Sequence, residues 1–228
     1  MDTNFCNISE YLTIVNSSQL NTTTLELILT PLEEHEYRKL SLQKQKHRLL
    51  GRLAAKQSVQ EYYARRATNL EYQQIEILNN NNGAPTCVVS DPNIPQDELL
   101  ISISHTNNYA IAAVANKNTS SGIGVDIEKI KNLEGKMIQR FLSTTELEIY
   151  HQTPNNKQSE LGILYWSAKE AYFKASKLTR FNPKEIDTTI EKIDNGYKLE
   201  IISPDRSLIA TGYSYVTPEK FIITTLKI

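Results

Sequence analysis

Four side chains in two short stretches have types and spacing that could do chemistry. Gly122-Ile123-Gly124-Val125-Asp126-Ile127-Glu128 alternates in the manner of a strand, and period two puts Asp126 and Glu128 on one face. Trp166-Ser167-Ala168-Lys169-Glu170-Ala171-Tyr172-Phe173-Lys174 has helical spacing, which puts Glu170 and Lys174 on one face with Trp166 one turn before Glu170. If strand and helix pack together, three carboxylates and an ammonium converge. An all-oxygen set of this kind suits a hard divalent cation such as magnesium, which bridges substrate phosphates, with a lysine beside it for the phosphate. Taken singly, the groups have plainer readings: an exposed strand face for Asp126 and Glu128, and an i,i+4 surface ion pair for Glu170 and Lys174.

The elements that must position these groups follow from the pattern around them. Residues 24–30 read as a first strand, and Pro31 then opens a helix, where proline is tolerated. Residues 44–66 form a long helix without proline, with Leu49, Leu50, Leu53, Ala54, Val59 and Tyr62 at helical spacing. Lys44, Arg48, Arg52 and Lys56 recur every fourth residue as a basic stripe. It is either a solvated face or a site for an anion, and the absence of acids at i±4 favours the anion. Residues 73–78 read as a strand, 79–85 as a turn or loop, and 90–98 as a loop. Residues 99–104 and 109–115 read as a β-hairpin with His105 at its mouth, a position where a lone histidine is ordinarily a satisfied polar group. Helices follow at 133–141, from a capping box at Ser143 and Glu146, and over 159–178. The strands 188–193, 197–202, 208–216 and 221–228 complete a meander, with Asp194-Asn195-Gly196 as its first hairpin turn.

Bulk properties narrow the function class. The 228 residues carry a net charge of −1, which argues against a nucleic-acid binder. Residues 38–66 hold nine lysines or arginines against one acid, a local charge of +8 set against −9 elsewhere, which suggests a local anionic ligand. Cys6 and Cys87 give neither metal-ligand spacing nor a disulfide framework, which fits a reducing cytoplasm. Neither a signal peptide nor a membrane-spanning run is expected. The phosphate loop Gly-x-x-x-x-Gly-Lys-Ser/Thr, the dinucleotide fingerprint Gly-x-Gly-x-x-Gly and the zinc motif His-Glu-x-x-His are all missing.

The two opening stretches resemble the paired signature motifs of the 4′-phosphopantetheinyl transferases. The length resembles the two-lobed, monomeric surfactin-synthetase-activating type. Arg140-Phe141-Leu142-Ser143-Thr144-Thr145-Glu146, Ser102-Ile103-Ser104-His105 and His47-Arg48-Leu49-Leu50-Gly51-Arg52 resemble the family too, so the likeness runs from about 44 to 174. It implies transfer of the phosphopantetheine arm of coenzyme A to a serine of an acyl or peptidyl carrier protein, with release of adenosine 3′,5′-bisphosphate. By the same likeness Asp126, Glu128 and Glu170 hold Mg²⁺. Glu170 accepts the serine proton, with Glu146 as another carboxylate for that task. Lys174 holds the phosphates and assists the leaving group. Ser104 and His105 contact the coenzyme's phosphates, and Arg48 and Arg52 hold its 3′-phosphate. One departure is Gly83-Ala84-Pro85, where the family often has Gly-Lys-Pro.

The fold expected is α+β: two similar lobes related by a pseudo-two-fold, each a long helix on a small, mostly antiparallel sheet. Residues 1–118 would form the N-terminal lobe with the basic helix and coenzyme hairpin, and 119–228 the C-terminal lobe with the magnesium and catalytic motifs. The coenzyme would lie in a cleft between lobes. The protein would be a cytoplasmic monomer bound to neither nucleic acid nor membrane. Two rival functions are a module of the same fold that holds carrier or coenzyme without turnover, and a metal-dependent phosphodiesterase.

Overall fold

The computed structural model describes residues 11–22, 25–95 and 98–228. The N-terminal segment, with Cys6, and Thr24 of the expected first strand lie outside the described residues. The chain divides into two compact units, Met1–Ile123 and Gly124–Ile228.

In the first unit the elements run β1 (Tyr11–Asn16), α1 (Leu25–Ile28), α2 (Pro31–Arg38), α3 (Leu42–Ala64), β2 (Ile75–Asn79), β3 (Pro85–Val89), β4 (Leu99–Thr106) and β5 (Tyr109–Asn116). Helix α3 buries Leu50, Leu53, Ala54, Val59 and Tyr62 against Ile101, Ala112 and Val114 of the antiparallel sheet β1-β5-β4. Strands β2 and β3 form a separate antiparallel hairpin that adds Ile75, Ile77, Cys87 and Val89 to the same core. Gly83 closes the hairpin with a φ of +82°, the left-handed region where a Cβ is strained.

The expected strand at 24–30 is corrected. Leu25–Ile28 is a helical turn, closed by Leu29 N–H donating to the Leu25 carbonyl at 2.8 Å. The cause is local: Thr30 caps α2, its hydroxyl accepting from Glu33 N–H while the Glu33 carboxylate accepts from Thr30 N–H. This capping box fixes the chain as an entry to a helix. The first strand of the sheet is β1, which the sequence reading did not identify.

In the second unit come the rest of β6 (Ile123–Lys129), then α4 (Gly135–Phe141), α5 (Thr144–Gln152), α6 (Asn155–Ser176), β7 (Asp187–Ile193), β8 (Gly196–Ile202), β9 (Leu208–Val216) and β10 (Phe221–Lys227). The five strands form one sheet in the order β6-β10-β9-β8-β7. The pairs β7-β8, β8-β9 and β9-β10 are antiparallel. Helix α6 starts at Asn155, earlier than its apolar pattern shows, and lays Ala168, Ala171 and Ala175 against Leu199, Ile201 and Leu226. Ser143 caps α5 in a complete box with Glu146, as the spacing predicts.

The architecture is therefore mixed α+β with antiparallel sheets. Among the described residues no helix is long and apolar enough to cross a membrane.

Candidate active site

In the second unit the site is built where β6 lies on α6. A Cβ placed on Gly124 would sit 1.8 Å from the Ala171 carbonyl oxygen, so only glycine lets the strand approach this closely. Two residues along the strand, Asp126 is 3% exposed and reaches α6: Lys174 Nζ donates to Asp126 Oδ1 at 2.8 Å and to the Val125 carbonyl at 3.0 Å. Glu128 is half-buried and accepts from the Trp166 indole N–H at 3.3 Å, and the Trp166 ring meets Phe141 edge-on, with centroids 5.2 Å apart. The predicted faces thus hold, with a difference in pairing. Lys174 pairs across to Asp126, although the spacing alone allowed a helix ion pair with Glu170.

The electrostatics mark these carboxylates as a group. Burial raises the Glu128 carboxyl above its ordinary value, and the Asp126 charge raises it further. Glu170 is raised chiefly by burial and also by Asp126, against the lowering effect of Lys174. Among the described residues no three His, Cys, Asp or Glu side chains are arranged as a ready-made metal site, and the Lys174 ammonium occupies an Asp126 oxygen. The donor set nevertheless fits a hard cation in chemistry: it is all oxygen, and the Asp126 charge raises the affinity of Glu128 and Glu170 for positive charge.

Glu146 stands apart. It is 1% exposed, and both oxygens are in use. One accepts from Thr188 N–H at 2.8 Å; the other meets Lys169 Nζ at 2.6 Å and Ser143 N–H at 2.9 Å. Lys169 Nζ further donates to the carbonyls of Phe141, Pro183 and Ile186. These contacts give Glu146 the work of a buried structural ion pair, which joins α5, α6 and β7.

In the first unit a cavity of about 400 Å³ opens between α3 and the β2-β3 and β4-β5 hairpins. Lys44, His47, Arg48 and Arg52 line it from α3, Asn79 from the end of β2, Gly83 from the β2-β3 turn, and His105 from β4. The His47 and His105 rings lie with centroids 4.6 Å apart. Arg52 is buried and its guanidinium is pushed down to about 10, mainly by burial and then by Arg48. Two sequence assignments change here. Lys56, the fourth member of the basic stripe, is fully buried and pairs with Glu33 Oε2 at 2.5 Å, so it does not line the cavity. The acid that i±4 spacing could not reveal comes from another helix. Ser104 is buried and is not in the cavity wall, because strand alternation turns it away from Ile103 and His105. Asn79, within the turn that the composition of 79–85 predicts, is a cavity residue; no local signal marks it.

Residues 122–224 match the family model of the 4′-phosphopantetheinyl transferase superfamily. A holo-[acyl-carrier-protein] synthase of Oceanobacillus iheyensis is 33% identical over 90 residues, which cover 40% of this chain and 74% of that protein. The 4′-phosphopantetheinyl transferase HetI of Nostoc sp. is 35% identical over 81 residues, 34% of this chain and 32% of HetI. The 4′-phosphopantetheinyl transferase psf-1 of Bacillus pumilus is 30% identical over 126 residues, 55% of this chain and 48% of psf-1. The chain therefore spans less than half the length of these last two relatives.

Proposed function

Because the chain belongs to the 4′-phosphopantetheinyl transferase superfamily, we propose that it transfers the phosphopantetheine arm of coenzyme A to a serine of an acyl or peptidyl carrier protein. The observation that carries this reading is the β6-α6 site, where Asp126, Glu128, Glu170 and Lys174 face one another through the close approach at Gly124.

In the reaction the serine hydroxyl oxygen forms a bond to the phosphorus that carries the pantetheine arm. The bond from that phosphorus to the bridging oxygen breaks, and adenosine 3′,5′-bisphosphate leaves. Glu170, directly or through a water, takes the serine proton. Lys174 turns from Asp126 to the phosphates and offsets the charge that develops on the leaving group. Asp126, Glu128 and Glu170 would hold Mg²⁺, which supplies charge neutralisation for the pyrophosphate. Trp166 orients Glu128 through its indole N–H. Arg48, Arg52 and His105 in the first unit's cavity receive the 3′-phosphate end of the coenzyme. Glu146 and Ser104 have no part in this scheme.

We also infer the two-lobed, monomeric, cytoplasmic type with a pseudo-two-fold relation. The two-lobed repeat, and not the monomer or the location, is supported by a buried arrangement that recurs in the two units. Thr30, Glu33 and Lys56 in one correspond to Ser143, Glu146 and Lys169 in the other, each 113 residues on. The test of function is mass spectrometry of carrier proteins incubated with the protein, coenzyme A and magnesium. A gain of one phosphopantetheine arm, lost in Asp126→Ala, is expected. No gain across fatty-acid, polyketide and peptide carriers would overturn the reading. The second reading, a module that binds without turnover, is favoured by the Lys174–Asp126 pair that occupies a ligand oxygen. Coenzyme binding with no mass gain would establish it.

A further inference from the structure

The first unit's cavity holds a contact that the catalytic scheme does not use. Asn79 Oδ1 accepts from Arg48 Nη1 at 2.9 Å and from Arg52 Nη2 at 2.9 Å, while Asn79 Nδ2 donates to the Gly83 carbonyl at 3.0 Å. One neutral amide thus draws two guanidiniums of α3 together and ties them to the β2-β3 turn. Like charges gather in this way only where something offsets them. Of the nearby acids, Glu33 is taken up with Lys56 at 2.5 Å and with Arg52 Nε at 3.6 Å, and Glu76 accepts from the Thr30 hydroxyl. Lys56 behind the wall and the three wall cations Lys44, Arg48 and Arg52 stand against Glu33 and Glu76, four cations against two carboxylates, a surplus of two positive charges beside the cavity. That surplus matches a phosphate monoester, which carries close to two negative charges at neutral pH.

We propose that Asn79 is the positioning residue that sets the cavity's selectivity for the 3′-phosphate of the coenzyme. It holds Arg48 and Arg52 as a preformed fork and leaves their remaining N–H groups for the phosphate oxygens. A neutral acceptor is required. A carboxylate at the same place would cancel half of the surplus charge and compete with the phosphate for the same donors. The turn itself contributes no cation, since residue 84 is alanine. The two arginines held by Asn79 therefore make the anion site from the helix side.

This inference rests on the proposed use of coenzyme A, and one experiment separates the two. Calorimetry on the full chain compares coenzyme A with 3′-dephospho-coenzyme A for the wild type, Asn79→Ala and Asn79→Asp, with thermal melts to confirm folding. The wild type is expected to favour coenzyme A by about 100-fold, as two charge-assisted contacts would give. Asn79→Ala should lower that ratio roughly tenfold and Asn79→Asp should bring it to about one, while affinity for the dephospho form moves less than about threefold. An unchanged ratio, or equal losses for both ligands in folded variants, overturns the role of Asn79 alone. A wild type that binds neither form overturns the proposed function and this inference with it.

Discussion

Each of the site's carboxylates depends on one particular neighbour, and those neighbours make sharp tests. Lys174→Met leaves Asp126, 3% exposed, without its ammonium and removes the cation assigned to the leaving group. The kcat of transfer should fall about 100-fold, as when one preorganised donor is lost from a transition state. A variant within a few-fold of wild type would remove Lys174 from the mechanism. Trp166→Phe keeps the ring against Phe141 but deletes the N–H that Glu128 accepts. Its cost should be smaller, about threefold to tenfold in kcat/KM, because the bond is long and Glu128 is only half-buried. The shared face of Asp126 and Glu128 and that of Glu170 and Lys174 were legible in the sequence because each period is counted along its own element. Depth was not legible. The every-fourth-residue spacing of Lys44, Arg48, Arg52 and Lys56 shows which face they share, but not that Lys56 is in the core and Lys44 in water. Asn79 was invisible for a related reason: its partners are 31 and 27 residues away, on a helix whose placement no local pattern gives.

Elements were read well where their signals are local. The capping box at Ser143, the proline that opens α2 and the β4-β5 hairpin all stand where the sequence puts them. The signals failed where tertiary contacts decide. Residues 24–30 read like a short apolar strand, yet the Thr30–Glu33 box claims their end for a helix entry, and β1 gains strand status only by pairing with β5. The packing of β6 on α6 turns on one atom. Gly124→Ala would press a methyl into the Ala171 carbonyl and push strand from helix. A loss of about 3 kcal/mol in urea unfolding and of nearly all transfer activity is expected. Wild-type stability in that variant would mean that the two elements can separate freely. On the β2-β3 hairpin, Cys87 is 7% exposed and its thiol is pushed up to about 12, first by burial and then by the charge of Glu33. A raised thiol keeps its proton, so almost no thiolate exists at pH 8. Iodoacetamide at that pH should modify Cys87 only after denaturation; rapid labelling of the native protein, mapped by peptide mass, would contradict its placement.

At the scale of the molecule, the recurring buried pair says how the two units are held. Glu33 with Lys56 fastens α2 to α3, and Ile77 N–H of β2 donates to Glu33 at 2.9 Å; Glu146 with Lys169 fastens α5 to α6, and Thr188 N–H of β7 donates to Glu146 at 2.8 Å. In both units a helix-capping glutamate reaches a lysine 23 residues on and a strand beyond it. Such a pair adds little net stability against an apolar replacement of both members, because burial of two charges costs about what their attraction returns. Loss of one member is different, since it strands a charge. Lys56→Met and Lys169→Met should each cost about 3 to 5 kcal/mol, and adding Glu33→Gln or Glu146→Gln to its own partner's variant should restore much of that loss. If each pair serves its own unit, hydrogen exchange will separate them. Lys56→Met should speed exchange in α2, α3 and β2, and Lys169→Met in α5, α6 and β7. Identical exchange patterns in the two variants, or full stability in either, would show that the pairs do not hold the units in this way.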